Sequence, residues 1–253
     1  MLDVRNISKH FGNLKAVSNV SFNLKEGEIV GLIGPNGAGK TTLISLIDGS
    51  LNPSAGSITF LGEDLAGKRP DELARKGMAR TFQIVRVFKE MTVYENILVG
   101  ALFAGNLSLS QARQKVQEAL DFTGMAHLKD KTVREITLPD QKKLQIARAL
   151  ATDPKLLLLD EAMAGLNSKE VEAAIELVGR IRAQGISILV IEHLMKVIMN
   201  ISDRIIVLHH GELIAEGTPR EITSNEAVIA AYFGERYKKH LDQIHSLEEQ
   251  VIG

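Results

Sequence analysis

A glycine-rich segment connects an apolar run, which ends at Ile33, to a stretch whose composition suits a helix. The segment consists of Gly34, Pro35, Asn36, Gly37, Ala38, Gly39, Lys40, Thr41 and Thr42. Glycines at this spacing let backbone N–H groups surround a phosphate, while the following helix directs its positive end at the anion. We therefore expect a nucleoside triphosphate here, with Lys40 on the β- and γ-phosphates and the Thr41 hydroxyl on Mg²⁺.

The second candidate site is an apolar run that ends in two carboxylates. Leu156 to Leu159 lead directly into Asp160 and Glu161. Buried parallel strands have this composition, and side chains at their carboxyl ends face the ligand crevice of an α/β sheet. We expect Asp160 to bind Mg²⁺ and Glu161 to orient or deprotonate the water that attacks the γ-phosphate.

Two further residues, Gln83 and His193, are candidates for catalysis because the chain contains both of these motifs. Gln83 follows Thr81-Phe82, and His193 follows Ile191-Glu192. Taken alone, such a glutamine is a surface amide and such a histidine is a hydrogen-bonded residue at the end of a strand. In a chain with both nucleotide motifs, we expect the two side chains to act in catalysis.

The composition is that of an ordinary globular protein. The 253 residues are 45% hydrophobic with a formal net charge of -1, so a sizeable core can form and no basic field favours nucleic acid. There are no cysteines, which excludes disulfides, thiolate metal sites and cysteine nucleophiles. We find neither a signal-peptide pattern nor about 18 consecutive apolar residues, and we expect a soluble, cytoplasmic chain.

The order of predicted elements favours an α/β fold. Apolar runs bounded by turns predict strands over 2–7, 17–24, 28–33, 57–60, 155–160 and 186–192. Helical spacing of apolar residues predicts helices over 110–120 and 141–151. The runs 204–208 and 212–215 flank His209-His210-Gly211 and predict a hairpin.

This order divides the chain into four parts. We expect an ATPase-like α/β core over residues 1–83, an all-helical insert over 84–150, the rest of the core over 151–234 and a tail over 235–253. The tail contains Lys238, Lys239, Glu248 and Glu249. A charged run of this kind predicts a solvated helix, and contact with a membrane surface or another subunit is the alternative.

Between residues 2 and 234 the chain resembles the ATP-binding subunits of ABC transporters. The resemblance rests on motifs in the family's order: the phosphate loop, Gln83, the segment before Ile146-Ala147-Arg148-Ala149-Leu150, Asp160-Glu161, Ala164-Gly165-Leu166-Asn167 and His193. It implies an N-terminal antiparallel β-layer, a RecA-like parallel-sheet core and an inserted helical subdomain. It also implies ATP and Mg²⁺ as ligands, Gln83 as a further metal ligand and Phe11 stacked on adenine.

The resemblance further implies partners. In this family, two ATPase subunits, identical or related, close on ATP and move transmembrane permease subunits, and importers also use a solute-binding protein. The chain would then lie on the inner face of the cell membrane through its permeases. Finer resemblance to branched-chain amino acid importers rests on residues 80–83, 91–96, 163–167 and 215–219. The run Ile84 to Phe88 suits a groove for a short permease helix, or else a buried face of the helical insert.

The segment at the family's signature position departs from L-S-G-G-Q. It reads Ile136-Thr137-Leu138-Pro139-Asp140. Thr137 keeps a hydroxyl for the nucleotide of the other cassette, but Pro139 has no N–H to donate and Asp140 adds negative charge. The same residues can cap a helix with Pro139 in its first turn. We therefore expect this chain to combine a weakened signature segment with a complete nucleotide site. At the interface between the two cassettes, Asn167 also replaces an aspartate that is usual in the family.

Other functions compete with an amino acid importer. The nearest is the ATPase of a lipopolysaccharide-type exporter, which has a cassette of similar size. A soluble ABC-type ATPase acting on nucleic acid or ribosomes is disfavoured because the chain has one cassette and no long heptad run or basic stripe. A nucleotide-binding regulator that hardly hydrolyses ATP is disfavoured by Glu161 and His193.

Overall fold

Two sheets and the helices around them make up residues 1–104 and 107–233, the part of the chain that the computed structural model describes. The strands are β1 (Leu2–Phe11), β2 (Leu14–Leu24), β3 (Ile29–Ile33), β4 (Ala55–Phe60), β5 (Glu63–Asp64), β6 (Met78–Arg80), β7 (Leu156–Asp160), β8 (Ser187–Ile191), β9 (Arg204–His209) and β10 (Glu212–Gly217). The helices are α1 (Lys40–Ile47), α2 (Pro70–Arg75), α3 (Val93–Ala104), α4 (Leu109–Thr123), α5 (Leu138–Leu150), α6 (Ser168–Ala183), α7 (Met195–Ile201), α8 (Pro219–Thr223) and α9 (Glu226–Phe233).

The first sheet is antiparallel, in the order β2-β1-β4-β5. One of its faces is apolar because Val4, Ile7 and Val20 are all buried. Strand β1 continues to Phe11, beyond the predicted end at residue 7, because its last residues pair with the start of β2 across a tight turn. The predicted N-terminal β-layer is therefore confirmed, with longer strands than expected.

The second sheet has the order β10-β9-β3-β8-β7-β6. All of its neighbours pair in parallel except β9 and β10, which form the predicted hairpin. Every residue of β3, β7 and β8 is buried, as in sheets covered by helices on both faces. Parallel strands end at one edge, so the loops that leave these three strands converge there. The mixed α/β fold expected from the sequence is confirmed.

Helices replace strands in the described residues between β6 and β7. Helices α3, α4 and α5 pack around one apolar cluster, to which they contribute Ile97, Val116 and Leu144. Two short 3₁₀ turns, Ala126–Leu128 and Val133–Glu135, lie in the connection from α4 to α5. The exact division of the chain at residues 83, 150 and 234 stays a prediction, and the predicted tail helix over 235–253 lies outside the described residues.

Some elements differ from their predicted bounds. Strand β6 was not predicted because it is only three residues long, and α3 was not predicted because it is apolar on most of its faces and lacks helical periodicity. Helix α5 begins at Leu138, earlier than the predicted residue 141. Within residues 1–104 and 107–233, no helix has both the length and the apolar character that a bilayer crossing requires.

Candidate active site

The glycine-rich segment forms a tight loop between β3 and α1. Gly37 has a φ of 79° and Gly39 a φ of 101°, in the region that favours glycine. A Cβ at Gly39 would lie 2.4 Å from the carbonyl oxygen of Ala16, and one at Gly34 would lie 2.1 Å from that of Leu208. The loop can therefore close against β2 and β9 only with glycine at these two positions.

The turn between β9 and β10 braces the same loop. The Gly211 N–H donates to the Ala38 carbonyl at 3.0 Å, and the Ser18 N–H donates to the Gly211 carbonyl at 2.8 Å. His210, in this turn, lines the cleft in front of the loop. The hairpin was predicted from the sequence, but its contact with the loop was not, because nothing local in the sequence indicates it.

Lys40 begins α1 and is buried inside the loop. Its Nζ donates to the carbonyl oxygens of Gly34 at 2.6 Å and Pro35 at 3.0 Å. Burial lowers the pKa of the Lys40 ammonium, against the opposing effect of the nearby carboxylates of Glu161 and Asp160. The Lys40 ammonium thus lies within electrostatic range of Asp160, the last residue of β7, and of Glu161, which follows that strand.

Glu161 is held between the two other predicted catalytic side chains. Its Oε2 accepts a hydrogen bond from Gln83 Nε2 at 2.5 Å, and its Oε1 lies 2.6 Å from His193 Nε2. Its backbone has a φ of 48°, which is rare for a residue with a side chain, and its N–H donates to the Ile191 carbonyl at 2.9 Å. The backbone conformation and two side-chain contacts together fix the direction of the carboxylate.

These groups share one cleft of about 720 Å³. Predicted site residues that line it are Phe11, Asn36, Gly37, Ala38, Gly39, Lys40, Thr41, Thr42, Gln83, Glu161 and His193. Gly34 and Pro35 lie behind them as acceptors for Lys40. The structure therefore brings together side chains from the loop, the end of β7 and the residue after β8, which are far apart in the sequence.

Phe11 lies at one end of this cleft, at the tip of the hairpin between β1 and β2. The residue is 48% exposed, and Lys9 Nζ lies 5.3 Å from the centroid of its ring. An aromatic face in this position can stack on a planar base, and a phenylalanine ring offers no hydroxyl for a hydrogen bond.

Asp160 does not line the cleft but belongs to a buried ion-pair network beside it. Its Oδ2 accepts from Arg80 Nη2 at 2.7 Å, and Arg80 Nη1 donates to Asp48 Oδ2 at 2.5 Å and to Ser45 Oγ at 3.2 Å. Arg80 thereby ties the end of α1 to the end of β7. No role was predicted for Arg80 from the sequence, because its partners Ser45, Asp48 and Asp160 come from distant segments.

The donor set fits Mg²⁺ bound together with a nucleotide. Thr41 lines the cleft, and Asp160, which lies beside the cleft, has one carboxylate oxygen bound by Arg80 and a second that Arg80 does not bind. Hydroxyl and carboxylate oxygens are the ligands that Mg²⁺ uses beside phosphate oxygens and water. Gln83, the third predicted metal ligand, directs its amide nitrogen to Glu161, which leaves its carbonyl oxygen for another partner.

Thr137 lies apart from the cleft, as the N-cap of α5. Its Oγ1 accepts from the Asp140 N–H at 3.4 Å and donates to Asp140 Oδ2 at 2.6 Å. Pro139 occupies the first turn of the helix, where a backbone N–H has no intrahelical partner. The predicted capping interaction is confirmed, and the Thr137 hydroxyl is already hydrogen-bonded within its own chain.

Asn167 caps the next helix. Its Oδ1 accepts from the N–H groups of Lys169 at 3.0 Å and Glu170 at 3.1 Å, while Glu170 accepts from the Asn167 N–H at 2.8 Å. This reciprocal arrangement is a capping box. The side chain therefore starts α6, as an aspartate could, without a negative charge.

Two buried charges near Glu161 had no role in the sequence analysis. Lys142, on α5, donates to the carbonyl oxygens of Ala164 and, at 3.4 Å, Glu161. Glu192, between β8 and His193, accepts from the Met163 N–H at 2.7 Å. Burial lowers the pKa of Lys142 and raises that of Glu192. A charged residue at the end of an apolar strand could have indicated Glu192, but no local signal indicates Lys142.

Comparisons with known proteins agree with this geometry. The family model for ABC transporters matches residues 17–164, and that for branched-chain amino acid ATP-binding cassette transporters matches residues 212–238. The high-affinity branched-chain amino acid transport ATP-binding protein LivG of Salmonella typhimurium is 44% identical, over 93% of this chain and 98% of that protein. BraF of Pseudomonas aeruginosa, with the same description, is 38% identical over the same shares.

Solved structures share the fold as well as the sequence. A nucleotide-free ATP-binding cassette from an ABC transporter superposes with a TM-score of 0.82 at 33% identity, and covers 92% of this chain and 98% of its own. The ADP conformation of another cassette gives a TM-score of 0.83 at 34% identity over the same shares. The phosphate loop, the Glu161 cluster and these likenesses lead to one conclusion: this chain is an ATPase that belongs to the ATP-binding cassettes of the ABC transporter family.

Proposed function

We propose that this chain energises the import of branched-chain amino acids by binding and hydrolysing ATP against membrane permease subunits. The observation that carries the proposal is the Glu161 carboxylate, held at 2.5 Å by Gln83 and 2.6 Å from His193 in the cleft of the phosphate loop. Relatives at 38–44% identity are described as branched-chain amino acid transport proteins, which supports the choice of substrate.

ATP binding would use the loop and the hairpin tip. Phe11 would stack on adenine, the N–H groups of the loop residues other than Pro35 would surround the phosphates, and Lys40 would exchange its carbonyl acceptors for phosphate oxygens. Mg²⁺ held by Thr41 and Asp160 would neutralise charge on the β- and γ-phosphates. Arg80 keeps Asp160 oriented by binding its other oxygen.

Hydrolysis would be promoted by Glu161. As a carboxylate it accepts a hydrogen bond from the attacking water and draws its proton, while Gln83 and His193 fix its direction. Phosphoryl transfer depends mainly on positioning and electrostatics, so a carboxylate locked by its backbone and two side chains suits this task.

A second cassette would complete the site. Thr137 is exposed at the start of α5 and is not part of its own chain's cleft, which suits contact with a nucleotide on another subunit. Its hydroxyl must leave Asp140 to donate to a phosphate, and Pro139 contributes no N–H. Both features support the expectation that this signature segment binds a nucleotide weakly. The second cassette of the dimer can be the same chain or a related one.

An apolar cleft offers a place for the permease. It measures about 390 Å³ and lies between the parallel sheet and the helices α3 and α5, with Phe82, Phe88 and Phe103 in its lining. Nearby Ile84 is 80% exposed, whereas Val85 and Val87 are half-buried. The run 84–88 thus presents only part of its apolar surface, and that part suits a short amphipathic helix. This contact would hold the chain at the inner face of the membrane.

The competing functions receive less support. The curated relatives quoted above are transport proteins for branched-chain amino acids, which favours neither a lipopolysaccharide-type exporter nor a nucleic-acid-directed ATPase. A solute-binding protein would join the system indirectly, through the permeases.

Transport by intact cells tests the proposal. Uptake of labelled leucine should be lost when the chromosomal copy carries Glu161→Gln, and should survive Glu176→Gln on the exposed face of α6. Normal leucine, isoleucine and valine uptake in the Glu161→Gln strain would contradict the proposed substrate class.

A further inference from the structure

The loop that carries Glu161 is fixed from two directions by buried charges. Glu192 is 2% exposed and holds the Met163 N–H at 2.7 Å from the β8 side. Lys142 is 7% exposed and reaches the carbonyl oxygens of Glu161 and Ala164 from the side of α5. A buried ammonium that meets backbone carbonyls is costly unless its contacts are kept, so this lysine constrains the loop strongly.

Glu161 needs such constraints because its backbone adopts a left-handed conformation. Its φ of 48° is unfavourable for a glutamate, and a conformation of this kind persists only where the surroundings over-determine it. The Ile191 carbonyl binds its N–H at 2.9 Å, and Lys142 Nζ lies 3.4 Å from its carbonyl oxygen. Lys142 thus acts on the peptide group that directs the carboxylate toward Gln83 and His193.

Lys142 also belongs to the helix that starts at the signature segment. Thr137 caps α5, and Lys142 lies in the second turn of that helix, about 7.5 Å along its axis at 1.5 Å per residue. A helix moves as a rigid element over this distance. Any displacement of its N-terminus therefore reaches the Lys142 ammonium and the two carbonyl groups that it binds.

We propose that Lys142 is a positioning residue that couples α5, the helix that starts at the signature segment, to Glu161. When Thr137 contacts a nucleotide on the second cassette, Lys142 sets the direction of the catalytic carboxylate in its own chain. This inference rests on the proposed two-cassette ATPase. It assigns Lys142 no contact with ATP, and it makes each site of the dimer sensitive to the occupancy of the other.

The first test is the dependence of ATP hydrolysis on ATP concentration for the full chain with Lys142→Met. We expect kcat to fall about 10- to 100-fold because the carboxylate is misplaced. The KM for ATP should change less than about threefold, since Lys40 and the loop are untouched. The Hill coefficient should fall toward one. Lys142→Arg, which keeps the charge and the donors, should restore most of the kcat and the cooperativity.

Lys143→Met is the matched control, because Lys143 is the next residue of the same helix and is half-buried. We expect it to behave as wild type. If circular dichroism shows that Lys142→Met does not fold, Lys142→Gln is tested in its place. The same result is expected for it, a large fall in kcat with little change in the KM for ATP. A wild-type kcat and a wild-type Hill coefficient in the folded Lys142 variant would overturn the inference. A loss of kcat/KM that comes entirely from a rise in KM would overturn it as well.

Mixed dimers of differently tagged chains test whether the effect acts within one chain. A Lys142→Met chain paired with a Glu161→Gln chain should hydrolyse ATP about 10- to 100-fold more slowly than a dimer of a wild-type chain and a doubly substituted chain, because the intact Glu161 lacks its lysine. A wild-type chain paired with a chain carrying both substitutions should hydrolyse ATP. Equal activity of the two dimers would overturn the coupling. Absence of ATP hydrolysis by the wild-type chain, both alone at every protein concentration and together with its permeases and a related cassette, would instead contradict the proposed function.

Discussion

His193 Nε2 lies 2.6 Å from Glu161 Oε1, although the two residues are 32 positions apart in the chain. The contact forms because β7 and β8 are parallel neighbours that end at the same edge of the sheet. Glu161 follows the one strand, and His193 comes two residues after the other. The same edge carries the phosphate loop at the end of β3, so sheet topology alone places a carboxylate and an imidazole beside a phosphate site.

Glu161→Gln should abolish hydrolysis while nucleotide binding remains. The amide keeps the size of the side chain but cannot take a proton from water, so we expect kcat to fall about 100- to 10,000-fold. Single-turnover hydrolysis and binding of a fluorescent ATP analogue measure the two effects separately. Loss of binding equal to the loss of kcat would show that Glu161 is a structural residue.

His193→Ala should reduce kcat less severely. The carboxylate would keep its contact with Gln83 and its fixed backbone but lose one of its two side-chain partners. We expect a fall of up to about 100-fold in kcat with little change in ATP affinity. An effect on steady-state kinetics as large as that of Glu161→Gln would assign His193 a direct chemical role instead.

Pro139→Gly tests the weak signature. A glycine N–H at this first-turn position has no intrahelical partner and is free to donate. One restored bond to a phosphate is worth about 1.5–3 kcal/mol, or one to two decades in affinity or rate. We expect faster steady-state turnover by the dimer, at some loss of helix stability. If the folded variant has the same turnover rate as wild type, the missing N–H of Pro139 does not limit the rate of ATP hydrolysis.

Two glycines should respond to the same substitution with opposite signs. Gly179 is exposed within α6, and a Cβ there has no heavy atom within 4 Å, so Gly179→Ala should stabilise the fold by about 0.5–1 kcal/mol. A Cβ at Gly100 of α3 would lie 2.7 Å from the Arg148 carbonyl oxygen. Gly100→Ala should therefore separate α3 from α5 and destabilise the protein, as urea unfolding would measure.

The ion pair of Glu28 with Arg204 predicts part of the pH dependence of stability. Burial alone would raise the pKa of Glu28, but hydrogen bonds from Arg204 and the Lys25 backbone outweigh it and lower the pKa. The Arg204 contacts measure 2.9 and 3.1 Å. Because the folded-state pKa is lowered, this stabilisation is present above the ordinary glutamate pKa and is lost as the pH falls through the lowered value.

Glu28→Gln should accordingly lower the free energy of unfolding at neutral pH by about 1 kcal/mol, because solvent screens a partly exposed pair. The difference from wild type should disappear in acid. Urea unfolding between neutral pH and acid, with Glu176→Gln as control, measures both. A difference that persists unchanged at the acid end would mean that the pair does not titrate in this way.

The parts of the site that lie in one short segment could be predicted from sequence. The phosphate loop and the Asp160-Glu161 pair depend on local spacing and on a strand that directs them, and the structure brings loop residues, Gln83, Glu161 and His193 to one cleft. Arg80 and Lys142 could not be predicted, because their partners come from distant segments and one set consists of backbone carbonyls. A sequence pattern records which side chains are charged but not which peptide groups they meet.

The most direct test of the account is the specific activity of Mg·ATP hydrolysis by the purified chain over a wide range of protein concentration. A composite site that needs Thr137 from a second cassette predicts that activity per molecule rises with concentration and levels off as dimers form. A specific activity that stays constant down to concentrations at which the chain is monomeric would contradict it, because one chain would then hydrolyse ATP alone.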